Sequence, residues 1–114
     1  MEIDVKDGQI QIEIYVRDNI KSISDNDRLK HTIEQACKAD DKKPVHIHIK
    51  DSFIITSSVI GFLIKYIKKD KFPIYLYVYN QELYDMLDDM DLIGLLNIKG
   101  ASKNPSISQR DKKR

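Results

Sequence analysis

Three stretches of this chain alternate strictly between apolar and polar residues, and in each the apolar residues share one side. In Gln9–Val16, Ile10, Ile12, Ile14 and Val16 share one face, and Gln9, Gln11, Glu13 and Tyr15 the other. In Pro44–Ile49, Val45, Ile47 and Ile49 oppose His46 and His48; in Ile74–Tyr79, Ile74, Leu76 and Val78 oppose Tyr75, Tyr77 and Tyr79. Period-two alternation marks a strand with one buried face. A doubly wound sheet, covered on both faces, would have continuous apolar strands instead. The pattern therefore predicts a sheet with helices packed mainly on one face and a polar, tyrosine-rich open side.

The segments between these strands supply the helices. Glu2–Val5 also alternates, and Lys6-Asp7-Gly8 reads as a tight hairpin turn between it and Gln9–Val16. Ser24, followed by Asp27, predicts a helix start, and Leu29, Ile33, Ala36 and Cys37 recur on one helical face. A second helix is expected from Ser57 to about Lys69, with Val59, Ile60, Leu63, Ile64 and Ile67 at core spacing. Phe72-Pro73 ends that segment, because the residue before a proline is pushed out of helical conformation. Asn80 caps a third helix with the stripe Leu83, Met86, Leu87 and Met90, and Asn97–Lys99 offers a last short strand. The order is β-β-α-β-α-β-α-(β), an α/β fold in which strands separated by helices pair in parallel.

With 114 residues, the chain has material for one modest core. The expected domain spans residues 1–100. From Lys99 onward there are six basic residues and one acid, whereas the rest carries thirteen basic and seventeen acidic residues. Residues 101–114 are expected to form a disordered basic tail, since they combine this charge with Ser, Asn and Gln. No run of apolar residues is long enough to span a membrane, so membrane insertion is not expected. The N-terminus lacks the features of a signal peptide, and one cysteine, Cys37, leaves no internal disulfide. A cytoplasmic location is expected, with Cys37 serving as a small buried hydrophobe.

Little here points to catalysis. His46 and His48 lie two apart on a strand face, but no further ligand is arranged to complete a metal site, and exposed strand histidines are the plainer reading. Tyr75, Tyr77 and Tyr79 would suit base stacking only with Lys or Arg interleaved on the same sheet face, where Gln, Glu and His are found instead. A protein contact stays open for that stripe. Asp85, Asp88, Asp89 and Asp91 read as the solvated side of an amphipathic helix. No glycine-rich phosphate loop and no nucleophile–base pair is visible. No enzyme activity, cofactor, small-molecule substrate or metal is expected.

That leaves the hydroxyl run Thr56-Ser57-Ser58 at a helix start. One reading is capping by Thr56 or Ser57, whose oxygen accepts from a free N–H of the first turn. The other is phosphorylation, since the helix dipole and free N–H groups would stabilise a phosphate there.

The parts Val45–Ile49, Thr56-Ser57-Ser58-Val59-Ile60-Gly61, Ile74–Val78, Leu83–Met90 and Leu92-Ile93-Gly94-Leu95-Leu96 lie in an order that resembles the STAS domain of anti-sigma factor antagonists. The resemblance implies a STAS-like mixed sheet with helices mainly on one face. It also implies a bacterial regulatory module in which the serine matching Ser57 takes phosphate from an anti-sigma factor with serine kinase activity. A serine phosphatase would be the further partner. Ser57 is thus the candidate phosphorylation site, ahead of Ser58 and Thr56. Thr56, Ser57, Ser58, Val59 and Phe62 are the candidate partner-binding residues. Two positions depart from the family loop: Thr56 stands in place of its aspartate, and Val59 in place of its glycine. The alternatives are a non-phosphorylated accessory subunit, for example of a transporter, and a nucleic-acid-binding domain using the basic tail.

Overall fold

The computed structural model of the chain describes residues 1–39 and 43–100. The predicted tail, 101–114, lies outside the described residues. The strands are β1 (Glu2–Asp7), β2 (Ile12–Arg17), β3 (Val45–Ile49), β4 (Ile74–Val78) and β5 (Ile98–Gly100). The helices are α1 (Ile23–Ala39), α2 (Ser57–Ile64) and α3 (Gln81–Asp89), in the order β1-β2-α1-β3-α2-β4-α3-β5.

The five strands form one sheet in sequential order. β1 and β2 make an antiparallel hairpin, and β3, β4 and β5 each join in parallel. This order explains the one-sided burial. A crossover between parallel strands is right-handed. Each new strand is added on the same edge, so three crossovers of one hand place α1, α2 and α3 on the same face. The alternating residues sort accordingly. Ile12, Ile14, Val16, Val45, Ile47, Ile49, Ile74, Leu76 and Val78 are all buried against Leu29, Ile33, Leu63, Leu83 and Leu87 of the helices. Glu13, Tyr15, His46, His48, Tyr75 and Tyr77 line the other face, half-buried only by one another.

Several local expectations are corrected. β1 runs on through Asp7, which pairs with Ile12, so the turn is Gly8–Gln11 rather than Lys6–Gly8. The Gly8 N–H donates to the Gln11 carbonyl at 2.9 Å, and a Cβ on Gly8 would stand 2.9 Å from that same oxygen. Ile10 falls in this turn and is exposed rather than part of the core face. α1 begins two residues earlier than the sequence suggests. Ser22 Oγ accepts from the Asp25 N–H while the Asp25 carboxylate accepts from the N–H groups of Ser22 and Lys21, a reciprocal capping box. Those bonds outweigh the cost of desolvating the Asp25 carboxyl and hold it below its ordinary range. Ile20, in the stretch that looks polar and irregular, is fully buried.

α2 does not continue regularly to Lys69. It passes into a π-helical turn, Lys65–Lys69, whose Asp70 N–H reaches back five residues to the Lys65 carbonyl at 3.1 Å. The wider turn buries Tyr66 as well as Ile67, and Tyr66 stacks between Phe62 and Phe72. Asn80 caps α3 as expected, its Oδ1 accepting from the Leu83 N–H at 3.0 Å. Leu83 and Leu87 are buried, but Met86 and Met90, assigned from sequence to the same stripe, are exposed. Cys37 is buried, and burial pushes its thiol pKa up to about 11.

Candidate partner-binding site

The loops β2–α1 and β3–α2 meet at the end of the sheet where the parallel strands terminate. Ser52 stitches them together from a fully buried position. Its Oγ accepts from the N–H of Ile20 and of Ile54 and donates to the Ile54 carbonyl at 2.6 Å. Asn19 Oδ1 accepts from the Phe53 N–H at 3.1 Å. With the backbone fixed in this way, Ile55 turns into the core while Phe53 and Ile54 stay exposed.

The three adjacent hydroxyls have three different fates. Thr56 is the N-cap of α2, in extended conformation, and its Oγ1 accepts from the Val59 N–H at 3.3 Å. The same hydroxyl donates to Asn26 Oδ1, from the first turns of α1, at 3.1 Å. Asn26 is one of two buried polar residues among those described, so this bond satisfies a group that would otherwise be costly to desolvate. Ser58 is exposed and accepts from Lys30 Nζ at 3.0 Å, which ties α2 to α1 a second time. Ser57, the first residue of α2, is exposed and its hydroxyl has no hydrogen-bond partner among the described residues. No acidic side chain occupies the first turn of α2, so nothing there offsets the positive end of the helix.

Of the residues expected to contact a partner, Thr56, Ser57, Ser58 and Phe62 reach the surface at least in part. Val59 does not. Its side chain has no exposed area and belongs to the core, so Val59 is corrected to a packing residue. The exchange of glycine for valine suggested by the family resemblance therefore adds no bulk outside. Sequence reasoning passed over Phe53 and Ile54, which look like strand continuation but are the large apolar side chains exposed beside the hydroxyls. It also passed over Asn26 and Lys30. They follow Ile23 at i+3 and i+7 on one face of α1, and Ile23 is itself exposed.

The open sheet face is a closed polar network. Tyr15, His48 and Tyr77 stack in a row with ring centroids 4.7 Å apart at each step, and His46 stacks on Tyr75 at 5.3 Å. Rings packed against one another across neighbouring strands stand on edge, so the inner faces of the row are already occupied. Several of their polar atoms are paired as well. Tyr77 Oη meets His46 Nδ1, Tyr79 Oη meets His48 Nδ1, and Glu13 Oε1 meets His48 Nε2 at 2.7 Å. Burial opposes ionisation of Glu13, but hydrogen bonds from Gln11, His48 and Tyr15 outweigh it and hold the carboxyl below its ordinary range. Burial depresses the pKa of His46 and raises those of Tyr15 and Tyr77, the latter two helped by the Glu13 charge. Among the described residues no cluster of three or more metal-ligating side chains occurs, and no helix is long and apolar enough to cross a membrane.

No family model matches the chain, and no curated protein matches it in sequence. Its fold is similar to the solved structure of the anti-sigma factor antagonist SpoIIAA in its unphosphorylated form. The two agree with a TM-score of 0.64 over 96% of each chain, at 9% sequence identity. The likeness establishes the architecture: a STAS-like mixed sheet with its helices on one face.

Proposed function

We propose that this chain is a regulatory protein–protein interaction module whose contact surface is the β3–α2 loop and the start of α2. Ser57 is the point at which phosphorylation switches that surface. One observation carries this reading. Of three adjacent hydroxyls, two are engaged within the fold and Ser57 alone is exposed without a partner among the described residues. It sits beside exposed Phe53 and Ile54, an apolar surface suited to a protein. A phosphate on Ser57 would add roughly −1.5 to −2 charges at the positive end of α2, so the fold would tolerate it while the surface changed sign. The solved neighbour's name, an anti-sigma factor antagonist in its unphosphorylated form, supports an anti-sigma factor as partner and a phosphorylated counterpart state. Serine kinase activity in that partner, and a serine phosphatase that resets the switch, complete the proposal.

The test is affinity capture from native lysate with phosphosite mapping of the same sample, run on wild type, Ser57→Asp and Ser58→Asp. The expected result is phosphate on Ser57, and loss of the captured partner with Ser57→Asp. Phosphate confined to Ser58 or Thr56 would overturn the assignment. Undiminished capture by Ser57→Asp would instead indicate a constitutive scaffold, the accessory-subunit alternative.

A further inference from the structure

The surface of α3 carries a charge imbalance that its own fold does not explain. Between Asn80 and Asn97 there are five acids, Glu82, Asp85, Asp88, Asp89 and Asp91, and no lysine, arginine or histidine. All five are exposed, and among the described residues none is in an ion pair. Asp88 and Asp89 lie in the last turn of α3, where the helix dipole is negative and a carboxylate is disfavoured. Beside this acidic strip Met86 and Met90 stand one turn apart, 37% and 51% exposed. An apolar pair rimmed by five uncompensated acids fits a basic segment that also carries an apolar side chain.

Such a segment belongs to this chain. Residues 101–114 contain five basic side chains, one acid and Ile107. The described chain ends against α3 itself. Gly100 lies so close to the Tyr84 ring that a Cβ on it would stand 2.9 Å from Cε2. Fourteen residues can span up to about 46 Å, whereas nine helical residues cover only about 14 Å, so tether length does not limit contact with any part of α3. Attachment at this point gives a local concentration of the order of millimolar. We propose that the acidic, methionine-bearing face of α3 is the docking surface for residues 101–114 of the same chain.

The test uses the full chain with Ser108→Cys carrying a nitroxide; buried Cys37 is left unlabelled. At low salt, paramagnetic broadening of amide signals is expected to concentrate on Glu82–Met90. It should fall severalfold at about 1 M salt, where the Debye length is about 3 Å. The combined variant Asp85→Asn, Asp88→Asn, Asp89→Asn should abolish the concentration. This variant removes carboxylates from the disfavoured end of a helix, so it should fold. Met86→Ser with Met90→Ser should weaken it, and Glu2→Gln with Asp4→Asn on β1 should leave it unchanged. Broadening spread evenly over the surface, or indifferent to the α3 substitutions, would overturn the proposal. So would broadening that appears only between labelled and unlabelled molecules in a mixed sample, which would make the occupant a second copy.

Discussion

Glu13 is paired in register with His46, yet its carboxylate reaches diagonally to His48, with Oε1 2.7 Å from Nε2. The contact organises the open face of the sheet. A carboxylate only accepts, so it takes the Nε2 proton, and in the neutral ring Nδ1 is left to accept from the Tyr79 hydroxyl. One acid thereby links His48 on β3 to the Tyr79 hydroxyl at the end of β4.

Stability should fall on acidification for two reasons of the same sign. A group whose folded pKa lies below its unfolded value contributes stability that is full above the unfolded pKa and is lost as pH falls through the folded one. The pKa of His46 is depressed chiefly by burial, and that of Glu13 is held down because its hydrogen bonds outweigh burial. Urea midpoints measured from pH 8 to pH 3 should decline first below about 6.5, where unfolded histidine titrates, and again below about 4.5. Glu13→Gln should flatten the lower limb and His46→Phe the upper. Unchanged slopes in both variants would refute the network.

Removing the α2 cap should be costly because Thr56 serves two partners. Thr56→Ala loses the bond to the Val59 N–H and strands Asn26 in a buried position. A loss of about 1–3 kcal/mol is expected in chemical denaturation, above an ordinary cap deletion of about 1 kcal/mol. Thr56→Asp keeps the cap acceptor but cannot donate to Asn26 Oδ1, so it should recover only the cap part of that loss, whereas Thr56→Ser keeps both bonds and should lie closest to wild type.

Val59→Ala separates packing from recognition. Val59 is wholly buried, so deleting its methyl groups should cost about 1–3 kcal/mol. Affinity for a captured partner, measured well below the melting temperature, should not change. Phe53→Ser should do the reverse, leaving stability within about 0.5 kcal/mol and weakening capture at least about fivefold.

Cys37 should be inert in the folded protein. Burial removes access and pushes the thiol up to about 11, so little thiolate exists at neutral pH. Alkylation in native buffer should proceed only as fast as the chain opens, and rise sharply past the urea midpoint. Prompt alkylation would mean that α1 packs more loosely than described.

The division between features legible in the sequence and features hidden from it has a physical basis. Period-two alternation over Glu13–Val16, Val45–Ile49 and Ile74–Val78 gave strand, burial and face together, because a sheet covered on one side writes its geometry into every second residue. The Asn80 cap was equally readable, since a cap is local. The misses were positions decided by distant partners. Ile20 joins the core, and its N–H is met by Ser52 of the distant β3–α2 loop. Ile10 continues the alternation of β2, but Gly8 closes the turn around it. Val59 and Ser57, two residues apart in one helix turn, divide between core and surface according to how Thr56 sets the helix start. The distinct fates of three adjacent hydroxyls depended on Asn26 and Lys30, which sequence proximity does not reveal.

The π-helical turn at Lys65–Lys69 behaves like a spacer washer between two rigid parts. An i→i+5 turn takes up one residue more than the α-helical turn it replaces and leaves the downstream chain facing nearly the same way. Deleting one residue there should restore ordinary winding with Lys68 and Lys69 still exposed, while the capped start of α2 and the register of β4 stay put. The helix carries its adjustable joint at the end remote from Ser57, so the chain has room to change length on one side of the molecule without disturbing the surface that greets a partner on the other.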